Sequence, residues 1–550
     1  MLERAGTLPP PSYYNERTET FMSASREKKQ RQSAGQNLTQ KELKEAREAQ
    51  AAKRKTVLYW VIGVVVVILV AALLIWNSNF FQNRATAVTV NGHDFTAGEV
   101  AYYYNSAYQQ EYQYYQYSAM GLTGLTNFNP SLDPKDQYVD EEQTQTYYDY
   151  FMESALNALT QVAALTDAAQ EDGFSLELSE SGRETYDATI SNMKDSAVTA
   201  GYSYSSYLRA VYGTHMTTGI YESCLKRAIM LTEYQQAHQD ALTYTDEDFT
   251  TYYDENKDSI DTFSYEVAFL TGTAPSTTDE DGNTVEATEE EQTAAMEAAK
   301  ANAEKLMADV EAGGDFAELA DVYVQENSSN TFRATELTGS SLSSTYGDWL
   351  KDAARAEGDM SVFESTSGYY VVRFLDRYLD ETPTADIRHI LVKAELTQED
   401  DPATEDVDES AIPTDEAMEA AKAEAESILA QWEAGDKTAE SFGELAKEYS
   451  DDPGSASNGG LYTQVYEGRM VDTFNDWIFD SEHTEGDTGL VENTNSGQYG
   501  WHVMYFQAWN DPTWKINAKS SLQNDDMTSW IESITEGYEA VKADGFKYVD

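Results

Sequence analysis

A single cysteine, Cys224, stands among 550 residues, so no disulfide can form within one chain and the fold must hold by burial of apolar surface. Positive charge is also scarce: 37 Lys and Arg face 97 Asp and Glu, a formal net charge of −60. So acidic a chain repels nucleic-acid phosphates, which argues against nucleic acid as a partner, and it attracts cations and basic segments. Most of these carboxylates are expected to do no more than face solvent. What the chain does contain is one uncharged run, residues 57–76 (VLYWVIGVVVVILVAALLIW). At about 1.5 Å per residue, a helix of that length matches the roughly 30 Å hydrocarbon core of a bilayer.

Lys53, Arg54 and Lys55 immediately precede the run. Residues 1–56 hold 12 Lys/Arg against 7 Asp/Glu, whereas the rest of the chain holds 25 against 90. The positive-inside rule then expects a cytoplasmic basic tail (1–56), one transmembrane helix (57–76) and the bulk of the chain outside the cell membrane. A cleaved signal peptide fits less well, because its basic region would be far too long and no small-x-small site closes the run. About 470 residues remain outside, room for three or so domains.

Near Ala87, AVTV leads into Asn91-Gly92, a tight-turn signal, and Thr96-x-x-Glu99 is a capping box that opens a helix. That helix carries eight tyrosines between positions 102 and 117. They admit two readings: a buried face of Tyr104, Tyr108, Tyr112 and Tyr115 with Tyr103, Tyr114 and Tyr117 outside, or an adaptable contact surface for other chains. Helical periodicity recurs over 147–170, 183–200 and 219–242, so residues 85–258 read as a mostly helical domain. A last amphipathic helix is expected over 520–541, within 511–550, docking on that domain.

Self-similarity is the most informative signal. AMEAAKANAEKLMADVEAG (295–313) returns as AMEAAKAEAESILAQWEAG (417–435), identical at 13 of 19 positions. The same offset pairs VAFL (267–270) with HILV (389–392). Further on, FAELADVY matches FGELAKEY and GYYVVRF matches GWHVMYF. Two copies of one module are therefore expected, at 259–383 and 384–510, each reading strand, acidic insertion, long helix, second helix, loop, helix, strand. The insertions (273–292 and 395–414) read as protruding loops. DEDGNTVE (279–286) lacks full calcium-loop spacing, so no metal site is assigned. The copies differ in polar groups: His389 replaces Val267, His502 replaces Tyr370, Asp452 replaces Glu326, and only the second copy has Gly459-Gly460. Met470 and Phe474 keep their apolar counterparts, Leu342 and Tyr346. One strand histidine alone is commonly a satisfied core residue; a set lost together suggests groups that act together.

The second copy resembles the parvulin family of peptidyl-prolyl isomerases. RHILVKA (388–394), FGELAKEYSDDPGSASNGG (442–460), GRMVDTFNDWIF (468–479) and GDTGLVEN…GWHV (486–503) carry the likeness. With a helical region before it and a degenerate copy beside it, the chain is similar to PrsA-like and SurA-like extracytoplasmic bacterial foldases. The resemblance implies an α+β architecture: a transmembrane helix, a mostly helical chaperone-like domain, two tandem parvulin-like modules with small antiparallel sheets, and a C-terminal helix. It implies His389, Asp452 and His502 as catalytic residues. Met470, Phe474, Tyr462 and Phe479 would line the proline pocket, with Asn493 or Thr494 where the family has a threonine partner of the histidines. Tyr462 departs from the family, which has leucine there.

Rotating an X–Pro amide needs no nucleophile, metal or cofactor; resonance alone sets its barrier, about 18–20 kcal/mol. The expected function is a membrane-anchored foldase that isomerises X–Pro bonds in secreted proteins and holds unfolded clients. The alternatives are a non-catalytic holdase and an acidic envelope adhesion or structural protein. The acidic rim hints at clients with a basic residue near proline.

Overall fold

The computed structural model describes residues 40–77, 84–122, 124–214, 216–279, 284–396, 412–479, 483–495 and 498–549. Most of the basic tail, the centre of DEDGNTVE and most of the second acidic insertion lie outside the described residues. The helix Gln40–Asn77 contains the uncharged run, and the side chains of residues 57–73 are exposed. Among the described residues no helix is long and apolar enough to cross a membrane; the described side chains of the run stop at Leu73, short of the expected end at residue 76.

The chain divides into two compact units, residues 1–234 with 534–550 and residues 235–533. In the first, strand Thr86–Val90 turns at Asn91 and Gly92, both at positive φ (46° and 87°), into strand His93–Thr96. The capping box forms: Glu99 N–H donates to Thr96 Oγ1 (3.3 Å) and Thr96 N–H to Glu99 Oε2 (2.9 Å). It starts the helix Ala97–Ala119. The helices Tyr147–Glu171, Glu180–Thr199, Tyr204–Tyr212 and Thr218–Ala241 follow.

The tyrosine helix divides along its length rather than by face. Tyr104 is buried against Phe151, and Tyr108 stands edge-on to Phe128. Tyr112 and Tyr115, inside on the buried-face reading, are exposed together with Tyr117. Tyr103, outside on that reading, is half-buried with its hydroxyl enclosed. The aromatic partners Phe128 and Phe151 meet only the first half of the helix, so its second half lacks a core to join.

In the second unit, helix Asp246–Ile260 precedes two modules of equal topology. The first has the sheet order Thr331–Thr338, Thr262–Thr271, Gly368–Tyr378, Met360–Ser365, and the second Leu461–Val465, Pro383–Lys393, Gly500–Pro512, Thr488–Asn493, antiparallel throughout. The outer strands escape the sequence pattern because they are short and half-exposed. The alternation on Pro383–Lys393 does two jobs. Ile390 and Val392 face helices Asp415–Ala434 and Ala439–Tyr449 with Ile428, Trp432 and Phe442. Ala385 and Ile387 face the other way, onto Phe474, Ile478, Met504 and Phe506. His389 shares this second face.

The C-terminal helix spans Thr513–Thr535 rather than 520–541; Gly537, at φ 82°, lies just past its end. Residues Ala540–Lys542 instead form a strand beside Thr86–Val90. Within the second unit the helix meets the segment 238–253: Trp530 stacks on His238 at 3.9 Å, Trp514 lies 5.8 Å from Tyr253, and Lys515 Nζ sits 4.9 Å over Phe249.

Candidate active site

His389 and His502 come from adjacent central strands whose register pairs His502 with Leu391 and His389 with Met504. This diagonal, same-face arrangement lets the two rings meet in the core, with Nδ1 atoms 3.1 Å apart. Both are nearly enclosed, at 3% and 4% exposure. Asp452 arrives from the loop after helix Ala439–Tyr449, which is stitched along the His389 strand. Asp451 N–H donates to Leu391 O (2.8 Å), Lys393 N–H to Asp451 Oδ2 (3.0 Å) and Leu391 N–H to Ser450 Oγ (3.2 Å). Asp452 Oδ2 then lies 2.9 Å from His389 Nε2 and also accepts from Ser455 Oγ (2.5 Å) and Tyr462 OH (3.1 Å), while Gly454 N–H donates to Oδ1 (3.0 Å).

These contacts set the charges. The hydrogen bond from His389, helped by Ser455 and the Gly454 amide, holds the Asp452 carboxyl well below the usual carboxylate range. Burial, with the neighbouring His389 ring, pulls His502 down to about 3. His502 is therefore neutral at physiological pH. Assigned from this network, proton polarity runs one way: His389 Nε2–H donates to Asp452, and His502 Nδ1–H donates to His389 Nδ1. His502 Nε2 is left a buried acceptor without a partner among the described residues.

Phe474 closes one side, its ring 5.3 Å from that of His389 and 4.9 Å from that of His502, edge-on to both. Tyr462 covers another side of His389 at 5.4 Å, and Met470 joins the same apolar cluster while reaching the surface. Asn493 is buried: its Oδ1 accepts from Asn495 N–H and Nδ2, which fixes the amide orientation, and its Nδ2 has no partner among the described residues. The Val491–His502 and Asn493–Gly500 register places Asn493 diagonally from His502.

Two expected site residues lie elsewhere. Thr494, just past the strand end, is exposed. Phe479 packs 6.1 Å from Trp509; five residues beyond Phe474 a helical chain has turned by roughly 140°, which carries its side chain away from the histidines. Sequence reasoning missed Ser455, whose hydroxyl also lies 3.1 Å from His389 Nε2. Its only signal was its place three residues after Asp452.

The first module fills the same place with an aliphatic and aromatic cluster. Val267 and Tyr370 stand where the histidines do, and Tyr370 packs against Tyr346 (5.4 Å) and Phe269 (4.8 Å). Among the described residues of this module no histidine stands there, and Glu326, the counterpart of Asp452, is exposed.

Residues 282–378 and 380–508 match the sequence model of the PPIC-type PPIase domain. Both modules are thus similar to parvulins. Among curated proteins, the chaperone SurA of Pseudomonas putida is 31% identical over 119 residues, covering 20% of this chain and 27% of that one. SurA of Chromohalobacter salexigens is 23% identical over 359 residues, covering 61% and 72%. The chain spans 27% to 52% of the length of the first three curated relatives it matches. Among solved structures, PrsA from Bacillus subtilis shares 14% identity at a TM-score of 0.24, covering 74% of this chain and 91% of that one. So loose a superposition adds no argument.

The second parvulin module should lose stability in acid. In the folded state His502 stays neutral down to about pH 3, whereas unfolded histidine protonates near 6.5. Between those values the unfolded chain binds more protons, so stability falls as pH falls, by up to about 1.4 kcal/mol per pH unit. Asp452, with its lowered pKa, adds a loss of the same sign below about pH 3.9, the ordinary carboxyl value. Urea unfolding of the module at pH 7, 5.5 and 4 should show this slope, and His502→Gln should flatten it between pH 6.5 and 4.

Proposed function

We propose that the second parvulin module isomerises X–Pro bonds and that the whole chain is a membrane-anchored extracytoplasmic foldase for newly secreted polypeptides. The observation that carries this reading is the enclosed His389–His502 pair, tied to the Asp452 anion and flanked by Phe474, with Met470 packed on the same apolar cluster as Phe474. A twisted amide loses resonance and is less polar at nitrogen, so an apolar cup around the proline ring favours it. The polarised imidazole chain supplies a fixed field and hydrogen bonds to the flanking peptide without reorganising during rotation. The first module, with Val267 and Tyr370 in place of the histidines, serves as spacer or binding surface. Uncatalysed X–Pro isomerisation takes tens to hundreds of seconds, slow enough to limit folding outside the cell.

Anchoring is supported by the uncharged run, its helical conformation with exposed side chains, and the basic residues before it. Holding of clients is supported by the exposed end of the tyrosine helix, where Tyr112, Tyr115 and Tyr117 continue into Met120 and Leu122. Replacing the three tyrosines by serine should lower suppression of client aggregation several-fold and leave isomerase turnover of a short peptide unchanged, as read by light scattering and a peptide assay.

The deciding experiment is a protease-coupled isomerisation assay comparing the chain with its His389→Ala/His502→Ala variant. Faster turnover by the unaltered protein supports the enzyme; equal rates end that claim. Equal rates with retained aggregation suppression would favour a non-catalytic holdase, a reading that the near-complete enclosure of His389, His502 and Phe474 keeps in play.

A further inference from the structure

Phe479, expected in the proline pocket, belongs to a different concavity. The link between the parvulin modules, running from the end of strand Gly368–Tyr378 to Pro383, passes over Phe479 and Trp509 and leaves a cleft of about 540 Å³. Its lining combines three aromatic rings (Tyr378, Phe479, Trp509) with three carboxylates (Asp380, Glu381, Glu467), and among the described residues no Lys or Arg lines it. Glu381 and Glu467 make no hydrogen bond or ion pair among the described residues, while Asp380 is held by the Thr382 amide (2.9 Å). Phe479 and Trp509 lie 6.1 Å apart, and Trp509 is fixed from behind by Phe506 (4.8 Å) and by its indole N–H donating to His483 O (3.2 Å).

Aromatic faces attract a cation through their quadrupole, and unpaired carboxylates add a Coulomb attraction. A neutral apolar occupant would gain from the rings but leave the acidic rim unused. An anionic one would be repelled. We infer that this cleft is a second subsite of the module, taking a Lys or Arg side chain of a polypeptide client. The inference rests on the reading that this module receives polypeptides. The two sites share one apolar cluster, with Phe474 toward the histidines and Phe479 toward the new cleft, and Glu467 lies three residues before Met470. A client could therefore engage both, with its basic residue retained while proline rotates.

The test uses the full chain and three labelled, proline-free pentapeptides, Ala-Ala-Xaa-Ala-Ala with Xaa as Arg, Ala or Glu, read by fluorescence anisotropy at low and high salt. The Arg peptide should bind about five- to tenfold more tightly than the Ala peptide, the Glu peptide most weakly, and salt should narrow the difference. Glu381→Gln/Glu467→Gln should abolish the Arg preference; both residues are exposed, so the fold is not at risk. Equal binding of the three peptides, or an Arg preference that survives the double substitution, overturns the proposal. Because the peptides lack proline, this readout is separate from isomerisation. An Arg preference lost in Glu381→Gln/Glu467→Gln, in a protein that fails the isomerase assay, would support the subsite while the catalytic reading falls.

Discussion

His389→Ala is expected to lower kcat/KM for an X–Pro peptide by about a hundredfold, most of it in kcat. His389 sits between Asp452 and His502, 2.9 Å from the first and 3.1 Å from the second, and links the two. Its removal deprives His502 Nδ1–H of its acceptor and leaves the Asp452 carboxylate with Ser455, Tyr462 and the Gly454 amide as donors. Losing one preorganised electrostatic contact typically costs 10²–10³ in rate. Phe474 and Met470 remain, so proline binding and KM should change little. Tyr462→Phe provides the scale: it removes one of four donors to Asp452 and should cost only a few-fold. Stopped-flow protease-coupled assays, with circular dichroism to check folding, read both variants. An unchanged kcat in folded His389→Ala would exclude this histidine from the chemistry.

Much of that site could be read from the sequence because duplication supplied an internal reference. Where the first copy kept the apolar partner and dropped the polar one, the differences fell on His389, His502 and Asp452, and the structure brings these three within hydrogen-bond reach. The capping box at Thr96 and the Asn91-Gly92 turn were equally legible, since both depend on chemistry within a few residues. What escaped depends on contacts distant in sequence. Tyr112 and Tyr115 continue the three- and four-residue helical spacing of Tyr104 and Tyr108; only the placement of Phe128 and Phe151 decides which pair is covered. Phe479 continues a motif that includes Phe474, but the turn of the chain and the ring of Trp509 draw it elsewhere. The Tyr462 hydroxyl bond to Asp452 could not be inferred from a position where the family has leucine. The short outer strands carry too little periodicity to stand out.

Gly460→Ala is expected to destabilise the second parvulin module by about 3 kcal/mol or more and to take its activity with it. Gly459 and Gly460 both adopt positive φ, 67° and 70°, where a Cβ is strained. Gly460 also lies hard against the strand that carries His389. Its carbonyl accepts from His389 N–H (2.9 Å), and a Cβ built on it would stand 2.1 Å from the His389 carbonyl oxygen. Backbone cannot swing aside as a side chain can, so the loop or the strand must shift, and either movement displaces His389 from Asp452. Gly468→Ala is the control: its φ of 84° carries the same kind of strain, but its Cβ would meet nothing within 4 Å. It should cost only about 1 kcal/mol. Hydrogen exchange across residues 384–510 separates the two, with protection lost in Gly460→Ala and nearly intact in Gly468→Ala. The first module, which has no Gly-Gly pair at this place, should keep its protection in both. If Gly460→Ala exchanged no faster than Gly468→Ala, the close approach of this loop to the His389 backbone would not be what positions the histidine.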